Sequence, residues 1–296
     1  MDYYETIKYK IINNEIYCKV KDYSKERNTV ITYFEIGSLL KEANGKYGDK
    51  IINEYSKKLT LEVGKKYNRS TLYRMKQLFL IFSNEKVAPL VQQLNWSHCL
   101  ILIPIKDINK IYYYASQVAL KKLSKRQLEE IVKNKEYDRL SNEAKNKLIT
   151  EEKLQISDTI PNPILIKNKH NSEIINEKIL HKLILEDIES FMKELGNSFC
   201  FIGSEYKIKI GDRYNYIDLL LFNIKYNAYV VVELKITEFK VEYISQVQKY
   251  MNYIDKNIKE IHNNQTIGIL ICKKENKFVI EYCSDNRIII RKYNII

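Results

Sequence analysis

The sequence is poor in the residues that form turns and flexible chain. Its 296 residues include eight glycines and four prolines, which excludes a collagen-like repeat or a linker-like chain. Hydrophobic residues make up 45% and charged residues 29% of the total, so the chain can bury ordinary cores. A chain of this length favours two domains over one.

Cysteine and histidine are also scarce. The five cysteines are widely separated and form no C-x-x-C pair, and the four histidines show no H-E-x-x-H or H-x-E spacing. Neither a zinc site nor a disulfide framework is therefore expected. Apolar runs fall short of the roughly 20 residues that span a bilayer, and the first residues, Met1–Glu5, carry no secretory signal. We expect a cytoplasmic protein without a membrane partner.

Acidic residues are outnumbered, mainly in the first half of the chain. The net charge is +12; residues 1–160 contain 29 Lys and Arg against 20 Asp and Glu, whereas residues 161–296 contain 20 against 17. A basic surface favours a polyanionic partner such as nucleic acid. A lysine-rich surface also keeps a protein soluble, so charge alone leaves both explanations open.

Hydrophobic periodicity divides the chain. The first half shows helical stripes, including one predicted to begin at an N-cap at Ser70, and another after Ser124. The second half predicts a helix at about 173–195, strands at 199–203, 206–210, 214–222 and 228–236, a helix at 241–256, and strands at 266–272 and 278–283. We predict a helical domain at 1–145, a linker at 146–172 around Pro161 and Pro163, and an α/β (α+β) domain at 173–296.

Two of these strands carry the candidate catalytic residues. If the strands around 214–222 and 228–236 form a hairpin centred on Lys225 and Tyr226, residues whose numbers sum to 451 are paired. Asp218 then lies opposite Glu233, with Cβ atoms about 4.5–5.5 Å apart. Lys235 projects from the same face as Glu233, because side chains alternate along a strand. One extra residue in the loop would move Asp218 to the other face.

Such a cluster suits phosphodiester hydrolysis. Two carboxylates in an apolar hairpin are costly to bury without compensation, and Mg²⁺ binds one or two carboxylates together with waters and phosphate. Lys235 could then orient the attacking water or stabilise the transition state. Glu-x-Lys occurs six times in this chain, so the tripeptide by itself indicates little. A buried Asp–Lys–Glu ion-pair cluster without a metal is the alternative.

The same residues resemble a known nuclease core. Asp218 followed by Glu233-Leu234-Lys235 resembles the D-x14-E-x-K spacing of the PD-(D/E)XK nucleases, and Gln246 with Tyr250 resembles the Q-x-x-x-Y element of their RecB-like members. Longer stretches resemble the two domains of the YhcG-like nucleases. In the second half these are Phe191–Gly196, Phe201–Gly203, Tyr216–Leu220, Val232–Ile236, Glu238–Lys240 and Ile267–Cys272. In the first half they are Tyr33–Gly37, Leu72–Lys76, Gln93–His98 and Tyr114–Ala115.

The resemblance implies a fold and a set of site residues. The expected fold is an all-helical, winged-helix-like N-terminal domain followed by a restriction-endonuclease-like domain with a mixed central sheet flanked by helices. The implied ligands of Mg²⁺ or Mn²⁺ are Asp218, Glu233 and the carbonyl of Leu234, with Lys235 as the catalytic lysine. Gln246 and Tyr250 could point at the site; the alternative is that Tyr250 packs in the core and Gln246 caps a strand end.

Further acidic residues are candidates for the same site. A carboxylate from the first helix often joins it in such nucleases, and Glu186 is our candidate, with Glu177 and Glu189 as alternatives. The chain departs from the family at Ser204-Glu205, where Arg-Gln is expected. The change removes an arginine that could bind phosphate, and Glu205 either adds a third carboxylate or adds nothing.

The first half contains a basic segment beside a predicted turn. Its basic residues are Lys65, Lys66, Arg69, Arg74 and Lys76, and residues 63–76 contain no acidic residue. Phosphates favour basic side chains and helix N-termini, and a helix following a tight turn is typical of helix-turn-helix modules. We predict that these residues bind DNA. A helical assembly domain with an ordinary basic surface is the alternative.

Three functions remain to be compared at this level. The first is a Mg²⁺- or Mn²⁺-dependent nuclease acting on DNA. The second is a non-catalytic nucleic-acid-binding or assembly protein that keeps the nuclease scaffold, and the third is a nuclease acting on RNA. Because nucleases of this type often need two sites to cut both strands, a homodimer is one of the assemblies to test.

Overall fold

The computed structural model describes residues 2–19, 25–48, 50–150, 152–169, 175–196, 198–275 and 285–296. The chain forms two compact units, Met1–Tyr137 and Asp138–Ile296. This boundary differs from the expected one, because the segment predicted to be a linker contributes structure to the second unit. Within the described ranges, no helix is both long and apolar enough to cross a membrane.

The first unit is helical. Its helices are α1 (Tyr3–Lys19), α2 (Lys25–Tyr47), α3 (Lys50–Glu62), α4 (Arg69–Phe82), α5 (Trp96–Leu102), α6 (Ile108–Lys121) and α7 (Lys125–Lys133), with 3₁₀ turns at Lys65–Tyr67 and Ala88–Gln93. The described part of this unit contains no strand. The expected all-helical character of the N-terminal domain is therefore confirmed.

Gly37 allows α2 and α4 to pack closely. A Cβ atom at this position would lie 2.2 Å from the carbonyl oxygen of Met75 and 2.8 Å from the Cβ of Phe79. Any larger residue would push the two helices apart. Both helices bury apolar stripes here, including Ile36, Leu40, Leu72 and Met75, so this crossing lies in the core of the unit.

The two predicted helix caps had different outcomes. Ser124 caps α7 as expected, and its hydroxyl accepts a hydrogen bond from the Gln127 amide at 3.4 Å. The prediction that Ser70 caps the helix after the basic turn was wrong. Asn68 is the N-cap of α4 and accepts from the Thr71 amide at 3.1 Å. Serine and asparagine are almost equally good caps, and an N-cap residue needs extended backbone. Here the extended residue is Asn68, directly after the 3₁₀ turn.

The second unit surrounds a six-stranded mixed sheet. Its elements are α8 (Asn142–Thr150), α9 (Ile156–Thr159), β1 (Ile164–Ile166), α10 (Glu177–Glu186), α11 (Ile188–Leu195), β2 (Phe199–Ile210), β3 (Arg213–Asn223), β4 (Ala228–Glu238), α12 (Val241–Asn257), β5 (Ile267–Lys274) and β6 (Ile288–Ile295). The strand order is β1-β6-β5-β4-β3-β2. The pairs β2/β3 and β3/β4 are antiparallel, whereas β4/β5, β5/β6 and β1/β6 are parallel.

Helices cover both faces of this sheet. Val230, Val232 and Leu234 of β4 pack in one cluster with apolar residues of α10 and α11. Val231, between them in sequence, packs in a second cluster with Val247 and other residues of α12. Because alternate residues of a strand face opposite ways, the two clusters lie on the two sides of the sheet. The expected mixed sheet flanked by helices is confirmed.

Several boundaries differ from the sequence predictions. The helix predicted at 173–195 is interrupted at Asp187, whose side chain caps α11 by accepting from the Ser190 amide at 3.2 Å. The strands predicted at 199–203 and 206–210 form one strand, β2, with a shift in pairing between Phe201 and Gly203. The strand predicted at 278–283 lies outside the described residues. Strand β6 was not predicted.

The predicted linker is an integral part of the second unit. Ile164 pairs with Tyr293 of β6, and the side chains of Ile156, Ile160, Ile164 and Ile166 are buried in the cluster that α10 and α11 cover. Pro161 and Pro163 exclude a helix but permit a short strand at this point. With three residues, β1 is too short for its alternation to be recognised in the sequence.

Candidate active site

Strands β3 and β4 pair in the register that the sequence predicts. The pairs run from Leu219↔Val232 to Asn223↔Ala228, so the residue numbers sum to 451 and the prediction is confirmed. Asp218 and Glu233 are the next positions beyond this ladder. The Asp218 amide donates a hydrogen bond to Glu233 Oε1 at 3.4 Å, which places the two residues side by side.

Glu233 is the centre of the site. Its side chain is 1% exposed, and its Oε2 accepts hydrogen bonds from Gln246 Nε2 at 3.0 Å and from Lys235 Nζ at 3.4 Å. Gln246 Nε2 lies 3.3 Å from the hydroxyl oxygen of Tyr250, one turn further along α12. Tyr250 is 4% exposed and also packs in the apolar cluster under α12. Tyr250 therefore contacts Gln246 of the site through its hydroxyl group and packs in the core through its ring.

Asp218 is held by backbone groups. Its Oδ2 accepts a hydrogen bond from the Leu234 amide at 2.8 Å. Its carbonyl oxygen lies 3.1 Å from Nε2 of His181 on α10, and since a carbonyl can only accept, the ring nitrogen donates. Asp218, Glu233, Lys235, Gln246 and the Leu234 backbone are thus brought together by β3, β4 and α12.

His181 was missed by the sequence analysis. It lies four residues after Glu177, on the same face of an amphipathic helix, and that spacing was the available signal. Only carboxylates of this helix were predicted to join the site.

Burial raises the pKa of both carboxyl groups. Burial, followed by the charge of Asp218, raises the pKa of Glu233 from 4.5 to about 8, although the Lys235 ammonium opposes the shift. Burial also raises the pKa of Asp218, against the Leu234 amide, Lys235 and His181, while Glu177 adds to the rise. Both carboxyl groups therefore bind a proton more readily than exposed carboxyl groups do. A cation beside them would stabilise their charged forms and lower both pKa values.

The donor set fits a hard divalent cation that keeps some of its water. The described residues include no group of three or more His, Cys, Asp or Glu side chains that could hold a metal ion. Two carboxylates are nevertheless the usual protein contribution to a Mg²⁺ site that also binds substrate phosphate. Asp218 and Glu233 supply them, and the carbonyl of Leu234 stays a predicted third ligand.

The further acidic candidates are placed differently. Glu186 is the last residue of α10 and forms an ion pair with Lys182 at 3.7 Å, whereas Glu177 is the α10 carboxylate whose charge acts on Asp218. Glu205 lies on β2 between the pairs Ser204↔Leu219 and Tyr206↔Ile217, hence across from Asp218. Its φ of 46° marks an irregular point in the strand. On these positions Glu177 and Glu205 are better placed than Glu186.

The basic residues of the first unit lie on a turn and on one helix. Lys65 and Lys66 belong to the 3₁₀ turn before α4, and the other three, Arg69, Arg74 and Lys76, belong to α4 itself. All are exposed except Lys76, which is half-buried. Lys66 forms an ion pair with Glu15, and the guanidinium of Arg69 lies 5.3 Å from the Tyr73 ring centroid. Their role in binding DNA stays a prediction.

Known proteins match both units in sequence. Residues 157–296 match the family described as the YhcG PDDEXK nuclease domain, and residues 15–139 match the DUF1016 N-terminal domain. The first of these matches begins inside the segment predicted to be a linker. The curated Escherichia coli (strain K12) protein named "Putative nuclease YhcG" is 22% identical in an alignment that covers 82% of this chain and 76% of that protein.

Two solved structures show a weaker likeness. A repair endonuclease from Pyrococcus abyssi matches at a TM-score of 0.30 and 20% identity, over 41% of this chain and 48% of that chain. A complex of EndoMS with double-stranded DNA matches at a TM-score of 0.29 and 20% identity, over 42% and 48%. This chain thus spans about half the length of each. The chain thus combines a first part that is similar to the DUF1016 N-terminal domain with a second part that is similar to the YhcG PDDEXK nuclease domain.

Proposed function

We propose that this protein is a divalent-metal-dependent nuclease that hydrolyses phosphodiester bonds in DNA. The observation that carries the proposal is the pair of carboxyl groups at the end of the β3/β4 ladder, Glu233 buried and Asp218 half-buried, with Lys235 and Gln246 donating to Glu233. Buried like charges are costly, and a scaffold that had lost its activity would have little reason to keep them together. The family domain supports the same chemistry.

Each residue of the cluster has a role in this proposal. Asp218 and Glu233, with the Leu234 carbonyl, would hold Mg²⁺ or Mn²⁺. Such an ion, when bound, lowers the pKa of a bound water and neutralises negative charge on the phosphate. Lys235 lies beside Glu233 and supplies a positive charge for the attacking water or for the developing negative charge. Gln246 fixes the Glu233 carboxylate, and Tyr250 fixes Gln246.

The first unit would hold the substrate. Lys65, Lys66, Arg69, Arg74 and Lys76 lie at the turn and helix that resemble a helix-turn-helix module, and their exposed charges suit phosphate contacts. Because Lys66 already pairs with Glu15, it would contribute less than Lys65. In this proposal the first unit supplies affinity and the second supplies chemistry.

The test is cleavage with and without metal. The protein is incubated with supercoiled, linear, branched and single-stranded DNA, and in parallel with RNA, in Mg²⁺, in Mn²⁺ and in EDTA. Wild type should cut at least one DNA in metal and none in EDTA. Asp218→Asn, Glu233→Gln and Lys235→Met should lose cleavage by about 100-fold or more. Glu238→Gln, on the same strand but half-exposed, is the matched control and should cut normally.

Other outcomes would favour the alternatives. Binding of DNA with a steep salt dependence and without cleavage in any metal would indicate a non-catalytic binding protein. Cleavage of RNA alone would indicate an RNA-directed nuclease. Cleavage by Asp218→Asn equal to that by wild type would refute the proposed site.

A further inference from the structure

Strands β2 and β3 form a hairpin arm, residues 204–217, that is paired within itself but not with β4. The ladder between β3 and β4 starts at Leu219↔Val232, whereas the ladder between β2 and β3 continues to Ile210↔Arg213. One face of the arm is covered, because Ile208 and Ile217 are buried in the cluster under α12. The opposite face is exposed.

The exposed face combines lysines and tyrosines. Lys207 pairs with Tyr216 and Lys209 pairs with Tyr214, so these four side chains project from one side of the arm. Tyr214 is 57% and Tyr216 is 53% exposed. The Lys207 ammonium lies 3.9 Å from the centroid of the Tyr214 ring, and the Lys209 ammonium lies 5.9 Å from it. Positive charge and aromatic surface are therefore interleaved.

The arm leads directly into the candidate active site. Tyr214 lies four residues before Asp218 on β3, so the two residues are about 14 Å apart along the strand. That distance corresponds to about four nucleotides of a B-form strand, or to fewer if the strand is stretched. A nucleic-acid strand that enters the site from this side must pass over the arm.

From this arrangement we infer that the arm binds unpaired nucleotides next to the scissile phosphate. The inference rests on the proposed nuclease function and narrows its substrate to DNA with a single-stranded segment. Exposed tyrosine rings stack on bases whose faces are free, and base faces are free only in single strands. Lys207 and Lys209 supply the charges that follow the phosphate backbone. Arg213, exposed at the end of the arm, adds a third basic group, against two acids, Glu205 and Asp212.

The test is binding in EDTA, where cleavage cannot interfere. Fluorescence anisotropy is measured on the full chain with a labelled 20-nucleotide single strand and with the matching duplex. Tyr214→Ala/Tyr216→Ala should weaken single-strand binding at least tenfold and duplex binding less than threefold. Tyr214→Phe/Tyr216→Phe keeps the rings and should bind as wild type does, which separates stacking from folding. Ile224→Ala/Lys225→Gln, in the exposed turn between β3 and β4, is the matched control and should also bind normally.

The lysines give an independent measurement. Lys207→Gln/Lys209→Gln should lower the slope of log K against log salt for the single strand by about 1.4, or about 0.7 for each phosphate that is no longer neutralised. An unchanged slope, an equal loss of single-strand and duplex binding in the alanine variant, or a loss in the phenylalanine variant would overturn the inference. Lost cleavage with intact, arm-dependent binding would count against the nuclease function alone. Cleavage without arm-dependent binding would count against this inference alone.

Discussion

Replacing Glu233 by Gln should stabilise the metal-free protein while it abolishes cleavage. Burial and the neighbouring Asp218 raise the pKa of Glu233 from 4.5 to about 8. A carboxyl group whose pKa is higher in the folded state stabilises the fold fully below pH 4.5. That contribution is lost as the pH rises through 8. Between pH 4.5 and 8, each pH unit lowers the free energy of unfolding by about 1.4 kcal/mol, so the total loss approaches about 5 kcal/mol at pH 9.

A glutamine avoids this loss because it is neutral at every pH. Its amide has the shape of the protonated acid and keeps one oxygen to accept from the Asp218 amide or from Gln246. Glu233→Gln and wild type should therefore unfold alike near pH 4.5. At pH 9 the variant should be more stable by up to about 5 kcal/mol. For a unit of this size that is a rise in Tm of roughly 10–20 °C.

The assay must report on the second unit. The single tryptophan, Trp96, lies in the first unit, so its fluorescence does not report on the unit that contains Glu233. Calorimetry or far-ultraviolet circular dichroism is used instead. Both proteins are unfolded in EDTA at pH 5, 7 and 9, with Glu238→Gln as the control for an exposed carboxylate on the same strand. A difference between variant and wild type that does not grow with pH would refute the argument that Glu233 is strained by its burial.

Three further predictions concern metal binding, the Gln246 partner of Glu233 and the packing of α12 on the sheet. Mg²⁺ affinity, measured by calorimetry, should rise between pH 6 and 8, because the metal displaces the Glu233 proton; a pH-independent affinity would contradict this. Gln246→Ala should lower kcat by about 10- to 100-fold, and an unchanged kcat would exclude a positioning role. Gly268→Ala should lower the free energy of unfolding by about 1–3 kcal/mol. The added Cβ would lie 2.4 Å from Val247 Cγ1 and 2.8 Å from the Met251 sulfur. The control Gly45→Ala, with nothing within 4 Å, should be neutral or stabilising in the same melts, and equal effects would contradict the packing argument.

The sequence predicted the hairpin register because both of its strands are long and apolar. A loop centred on Lys225 and Tyr226 leaves a single pairing that buries both strands, and the ladder has that pairing. Gln246 and Tyr250 followed from helical spacing together with the family resemblance. The sequence therefore named Gln246 and Tyr250 as candidates, whereas the hydrogen bond from Gln246 to Glu233 is seen only in the structure.

Other features depend on tertiary contacts that local pattern does not contain. Strand β1 has three residues and exists because β6, about 130 positions later, pairs with it. The break at Asp187 depends on a side chain that caps the next helix rather than continuing the first one. His181 matters through a contact with the Asp218 carbonyl; its spacing from Glu177 places the two residues on one face of α10 but does not reveal that backbone partner.

The hydrogen bond from the Leu234 amide to Asp218 Oδ2 affects how an inactive protein should be made. In this bond the side chain takes the place that a carbonyl of the adjoining strand would fill in an unbroken ladder. An alanine at 218 would leave a buried amide without an acceptor, at a cost of about 1–3 kcal/mol, so lost activity could then arise from a loosened strand. Asparagine retains an oxygen for that amide, and a catalytically dead enzyme that still binds its substrate is best obtained with this substitution.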